Sequence, residues 1–415
     1  MNPTEISLLR QDIYILVENY IRNNILDFSN PYFNSDIYIY VNTIITIQLS
    51  LCDVDMDIID NLIYETIDLY FIINVDIPPR QEKYIDIDFS NEIKKQIDDQ
   101  IKRLDKIIIP AQRTEEWYLF RDKVLTASNI WKAFSTQSNI NSLIYSKCVA
   151  GKRIKKSKAI NPNSPLHYGQ KYEPVSTMWY EYQFNTKIGE YGCLPHKQYK
   201  YLAASPDGIN IDKTNSKYGT ILEIKNIVNR EITGIPKLEY WIQMQIQLEV
   251  LDLYVCDFLE TQIKEYDNYE EFIQDGTFNK TRCGKQKGVV ILFTNSDGDY
   301  KYEYSELDLT LEKYEEWNRD IIKMNELENY NWISTSYWRL EKVLITTVQR
   351  NKAWFKVAKP VIENIYNIIL KERKTGYQHR APKSRKTKTD PETKCMIPLE
   401  KTDSINLTIE TEPYK

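Results

Sequence analysis

Histidine is nearly absent from this chain: three in 415 residues, His167, His196 and His379, with no HxH or HxxxH spacing. A zinc hydrolase built on imidazole ligands is thereby disfavoured, and any metal should be held by oxygen. The six cysteines, at 52, 148, 193, 256, 283 and 395, are scattered and form no CxxC pair. That argues against a zinc ribbon, a thioredoxin-like site and a disulfide scaffold, and makes a reducing compartment the natural setting. No uncharged run reaches the ~18 residues of a membrane span. The opening MNPTEISLLRQDIYILVENY has charges interrupting every apolar run and no basic leader. It does not read as a signal peptide, so the chain is expected to be intracellular and soluble, without a membrane anchor. Internal repeats and heptad arrays are missing as well.

What is present is ordinary in bulk: 42% hydrophobic and 27% charged residues, the composition of a folded globular protein. The length suggests two or three domains, or one large α/β core with appendages. The net charge of -5 is unevenly spread. Residues 1 to 110 carry nineteen acidic and nine basic side chains, and the remainder is net basic. Apolar residues at mixed 3 and 4 spacing predict helices over Ser7 to Asn24 and Phe89 to Ile107, with Pro78-Pro79 as a break. We therefore expect an acidic helical module at 1-105, folding separately and used for protein contacts or for covering one edge of the core. An α/β core follows at 111-305, including two strands joined by an Asp-Gly turn within 288 to 305. A helical and strand extension packs on it at 306-373, with helices over Leu309 to Leu327 and Trp354 to Lys371 and a strand over Leu340 to Arg350. The basic and then acidic stretch 374-415 lacks apolar periodicity and is expected to be disordered.

The chemistry concentrates in AASPDGINI at 203 to 211 and GTILEIKNI at 219 to 227. On a strand, Glu223 and Lys225 leave the same face, while Leu222 and Ile224 enter the other side. A hairpin-like return would bring Asp207 beside Glu223. Two adjacent carboxylates repel, and a divalent cation removes that cost by using both as hard oxygen ligands. The alternatives stand beside this reading: SPDG is also a turn sequence, and ExK on a strand is often a solvated pair.

Three further segments extend the pattern: QRTEEWYLFRDKVLTASNIWKAF at 112 to 134, HYGQKYEPVSTMWYEY at 167 to 182 and LEYWIQMQIQLEV at 238 to 250. The ordered set resembles the YqaJ-type viral recombinase family, which is similar to phage lambda exonuclease and belongs to the PD-(D/E)XK nuclease superfamily. The likeness covers about residues 111 to 260, and more weakly RNKAWFKVAKPVIENIY at 350 to 366. It implies an α/β fold with a central mixed sheet flanked by helices. It also implies a magnesium-dependent deoxyribonuclease, with manganese as substitute, that degrades double-stranded DNA 5' to 3' from free ends in viral recombination or repair. Position by position, it makes Asp207 and Glu223 metal-binding carboxylates, Lys225 the catalytic lysine and the Ile224 carbonyl a further ligand. Glu173 becomes a helix carboxylate near the metal, and Gln243 the glutamine of the flanking helix. Arg121, Ser128 and Ser205 fall where lambda-type enzymes hold the terminal 5'-phosphate, and an Arg fork with hydroxyls suits a phosphate monoester. A single-strand annealing protein and a homo-oligomer are the partners such a family implies.

Helical spacing independently sets Tyr240, Gln243 and Gln247 on one face of a helix and Trp241, Met244, Leu248 and Leu251 on the apolar one. Pro174 directly after Glu173 predicts a helix start or kink there. Arg121 could instead pair with Glu115 or Glu116. His167 and His196 read as hydrogen-bonded structural residues. The basic run GKRIKKSK at 151 to 158 could follow a phosphodiester backbone or be a solvated loop. A structure-specific endonuclease on the same core, and a non-catalytic DNA-binding or packaging protein, are the rival readings.

Overall fold

The computed structural model describes residues 2–50, 55–80, 83–112, 114–149 and 165–382. The basic run at 151 to 158 and the stretch from 383 onward lie outside the described residues.

Helix α1 (Pro3–Asn23) starts on a capping box: the Asn2 side chain accepts from the N–H groups of Thr4 and Glu5, and Glu5 accepts from the Asn2 N–H at 2.8 Å. It packs with α2 (Phe33–Gln48) and α3 (Met56–Ile73), burying Leu9, Ile13, Val17 and Ile21 at four-residue spacing. After the Pro78-Pro79 break comes α4 (Asn91–Leu104), capped by Ser90 and burying Ile97, Ile101 and Leu104. Helix α5 (Glu115–Lys123), strand β1 (Leu125–Thr126), α6 (Ala127–Ile130), α7 (Gln137–Cys148) and α8 (Pro165–Phe184) follow. Then come β2 (Ile188–Gly189), β3 (Leu194–Pro195), β4 (Leu202–Ala204), β5 (Gly208–Asn210), β6 (Ile221–Asn226), α9 (Leu238–Leu251) and β7 (Val255–Glu265). The chain continues through α10 (Tyr269–Gln274), β8 (Lys287–Thr294), β9 (Tyr300–Tyr304), α11 (Leu311–Leu327), β10 (Asn331–Gln349) and α12 (Lys352–Thr375).

The fold is the expected mixed α/β type. A seven-stranded sheet runs β2-β5-β6-β7-β10-β8-β9, beside a small sheet β1-β4-β3. Strands β5 and β6 are antiparallel, whereas β6 and β7 are parallel and joined through α9. Residues 255 to 261 of β7 are buried without alternation, as a strand covered on both faces requires. The hairpin β8–β9 forms as the sequence predicts, with Gly298 at φ +77° in its turn.

Three features bear on the expected organisation. First, residues 1-105 cover part of the core and share its hydrophobic interior: Phe28 stacks on Trp241 of α9 with ring centroids 6.4 Å apart, and Trp241 meets Trp354 of α12 edge-on at 5.3 Å. One hydrophobic cluster runs from α1 through α9 to α12. Buried Arg80 ties the two parts further, donating to the carbonyls of Ser29 and Pro236 and lying over the Trp241 ring. Second, β10 is not an appended strand: it is 19 residues long and sits between β7 and β8 inside the main sheet. Third, residues 374 to 382 lie against the folded part, where Arg380 forms two hydrogen bonds of 2.6 Å with Glu372 and a third with Asn141.

Candidate active site

Register brings the two carboxylates together. Gly208 of β5 lies opposite Leu222 of β6, so one step outward along the antiparallel pair sets Asp207 beside Glu223. Beyond Leu222 the β5 side of β6 has no strand partner among the described residues. The Ile224 N–H, freed there, donates to Asp207 Oδ2 at 2.6 Å. The long connection between the strands keeps this register, with the Asn210 N–H bonded to the Thr220 carbonyl at 2.9 Å and Gly219 N–H to Asn210 at 2.8 Å. Gly219 adopts φ +81° against the Ile97 side chain of α4, where a Cβ would clash.

Glu223 is completely buried, and three donors hold it. Lys225 Nζ and Gln243 Nε2 reach Oε1, the latter at 2.7 Å, and Gln247 Nε2 reaches Oε2 at 2.6 Å. Lys225 leaves the same face of β6. Burial lowers its affinity for a proton, but Glu223 and Asp207 outweigh that and raise its pKa above the ordinary 10.5. Burial, reinforced by Glu223, pushes the Asp207 carboxyl well above its usual 3.8, against the pull of Lys225 and the Ile224 N–H. The Ile224 side chain points the other way, into a cluster with Tyr180, Leu222 and Leu259.

The residues expected to hold a terminal phosphate converge on the neighbouring small sheet. Strand β1 pairs parallel to β4, with Thr126 opposite Ala203. Ser128 and Ser205 each lie two residues past that pair, so both leave the sheet at the same end, and Ser205 is two residues before Asp207 in the chain. Arg121, on α5, stands over the Trp117 ring at 4.5 Å and directs Nη1 toward Cys193 Sγ at 3.9 Å. Cys193 precedes Leu194, which pairs with Ala204. Arg121 thus arrives at the same end of the small sheet.

The stretch that builds this site, residues 116–254, matches the family of the YqaJ-like viral recombinase domain. That stretch, about a third of the chain, is similar to the domain. A similar protein is an uncharacterised protein of Acanthamoeba polyphaga mimivirus, 32% identical over 307 residues, a match covering 66% of this chain and 54% of that protein. The chain thus spans about half the length of the curated relative it matches. Similar solved structures are those of an alkaline exonuclease from Laribacter hongkongensis, alone and in complex with dAMP. Each is 18% identical with a TM-score of 0.35, covering 64% of this chain and 95% of that one.

Within the matched stretch, Pro174 does not start a helix: α8 runs through it from Pro165 to Phe184. Gln170, whose carbonyl loses its partner to the proline, is exposed, so water can satisfy it. Glu173 is likewise exposed and raises the Asp207 pKa by its charge. His167 and His196 have the structural roles expected. His167 Nε2 meets the Tyr302 hydroxyl at 2.5 Å, and His196 Nδ1 accepts from the N–H groups of Gln198 and Tyr199, each at 2.9 Å.

Sequence reasoning puts Gln247 on the polar face of α9 without assigning it to the site. One helical turn beyond Gln243, it is fully buried, donates to Glu223, and its Oε1 has no hydrogen-bond partner among the described residues. Magnesium is bound through one or two carboxylates while keeping several waters. Asp207 and Glu223, with the orphaned Gln247 oxygen nearby, fit that donor set. No group of three or more His, Cys, Asp or Glu side chains gathers to hold a metal among the described residues. Nor, among them, is any helix long and apolar enough to cross a membrane.

Proposed function

We propose that the chain is a metal-dependent DNA nuclease of the lambda-exonuclease type, hydrolysing phosphodiester bonds 5' to 3' from the ends of duplex DNA. The observation that carries this reading is the set of Asp207, Glu223 and Lys225 on one sheet face, with Gln243 and Gln247 fixing Glu223. A magnesium ion held by Asp207 and Glu223, with the Ile224 carbonyl and Glu173 in supporting roles, would neutralise charge developing on the phosphate and lower the pKa of the attacking water. Lys225, on the same face as Glu223, would orient that water or a phosphate oxygen. Glu223 is held in one orientation by its three donors, so the site costs little reorganisation when charge develops. The 3' strand left behind is the substrate an annealing partner would take.

End recognition is supported by Arg121, Ser128 and Ser205 lying at one end of the small sheet, with Ser205 two residues before Asp207. A dianionic terminal phosphate gains charge-assisted bonds from Arg121 that a terminal hydroxyl cannot make, an effect of about 1.5 to 3 kcal/mol. The test compares digestion of 5'-phosphorylated linear, dephosphorylated linear and closed circular duplexes. The expected order is phosphorylated fastest and circles resistant, with Arg121→Ala bringing the two linear rates together. Equal rates on circles and phosphorylated linear DNA would replace this reading by an endonuclease on the same core.

A further inference from the structure

Strands β6 and β7 pair in parallel with Lys225 beside Glu260, so the two side chains leave the same face of the sheet. Glu260 is a buried carboxylate, only 2% exposed, in a place where no carboxylate is needed for the chemistry above. Its Oε1 is held by Arg230 Nη2, while Oε2 has no partner among the described residues. A buried carboxylate satisfied on one oxygen alone is costly, and removing its single cation leaves an uncompensated charge. Arg230 comes from the segment between β6 and α9. Its guanidinium spends one other bond on the Glu231 carbonyl at 3.1 Å, and the side chain keeps 26% of its surface exposed. It also lies 5.7 Å from the Tyr240 ring centroid, the same ring that Lys225 Nζ approaches to 5.4 Å. The two cations therefore share one aromatic platform on the site face. Lys225 bonds Glu223, whereas Arg230, bound through Nη2 to Glu260 and through Nη1 to the Glu231 carbonyl, has the further N–H donors of its planar fork.

We propose that Arg230, anchored by Glu260, is a further contact to the DNA backbone, gripping a phosphate next to the one that reacts and aligning the strand across Lys225. The ligand class rests on the nuclease reading given above; the anchored arginine does not. The competing explanation is that Arg230 merely neutralises Glu260. A double substitution separates the two, because Arg230→Gln with Glu260→Gln removes the buried charge together with its partner and so protects the fold.

Binding of the full chain to a fluorescent 5'-phosphorylated duplex is measured by anisotropy in EDTA across a salt titration, with magnesium-dependent cleavage by the unmodified chain assayed in parallel. Arg230→Gln should weaken binding about tenfold and reduce the slope of log K against log salt by about one, and the double variant should stay equally weak. Recovery of unmodified affinity in the double variant, or an unchanged salt slope in both, overturns the proposal even if the unmodified chain cleaves DNA. If the Arg230 dependence holds but no cleavage occurs, the contact stands and the nuclease reading fails. If the unmodified chain does not bind the duplex, both fail.

Discussion

Asp207→Asn is expected to lower DNA cleavage roughly a thousandfold, about 4 kcal/mol of transition-state stabilisation, while raising the melting temperature of the metal-free protein. The two effects share one cause. Without a cation, Asp207 and Glu223 crowd two carboxyl groups against a single lysine, and burial with Glu223 pushes the Asp207 carboxyl well above its ordinary 3.8. The folded state then holds the Asp207 proton more tightly than the unfolded state does. Its stabilising contribution is complete below pH 3.8 and is lost as pH rises through the folded-state value. The melting-temperature gap between Asp207→Asn and the unmodified chain, both in EDTA, should therefore widen as pH is raised from 4. Magnesium should stabilise the unmodified chain and leave the variant unmoved. A variant that is both inactive and less stable at neutral pH would mean that Asp207 serves the fold rather than a cation.

Removal of residues 1–110 is expected to prevent cooperative folding of the remainder. Phe28 is fully buried, with its ring 4.2 Å from Phe33 and stacked on Trp241. Arg80 adds hydrogen bonds to Ser29 and Pro236. Phe28→Ala alone should cost on the order of 3 to 5 kcal/mol, a large share of the ~5 to 15 kcal/mol that holds a typical domain. The truncated chain should show no sigmoidal thermal transition and should bind ANS, whereas a sharp melt from residues 111–382 would restore the picture of a separate module.

Local patterns are legible in the sequence. The Ser90-capped helix α4, the Asp-Gly hairpin β8–β9 and the alternation that aligns Glu223 with Lys225 all follow from spacing and turn chemistry. Asp207 beside Glu223 is legible only through the motif, because antiparallel register across a long connection is not written in either strand alone. The shared core is not legible: an acidic surface on α1–α4 says nothing about what their apolar faces meet, and Phe28 and Trp241 are more than two hundred residues apart. Nor does the sequence reveal the central position of β10, because β10 pairs with two strands that precede it in the chain. Gln247 carries a signal in its four-residue offset from Gln243. Glu260 carries none, since CDFLETQIKE alone does not reveal that its glutamate is buried and sits level with Lys225.

The most direct test of the account is release of nucleotides from 5'-phosphorylated linear duplex DNA by the purified full chain, with magnesium or EDTA, beside Asp207→Asn and Lys225→Met at matched folding by circular dichroism. The account predicts hydrolysis by the unmodified chain with magnesium alone and loss of at least about a hundredfold in each variant. Hydrolysis that persists in EDTA, or equal rates for the unmodified chain and the two folded variants, would contradict it.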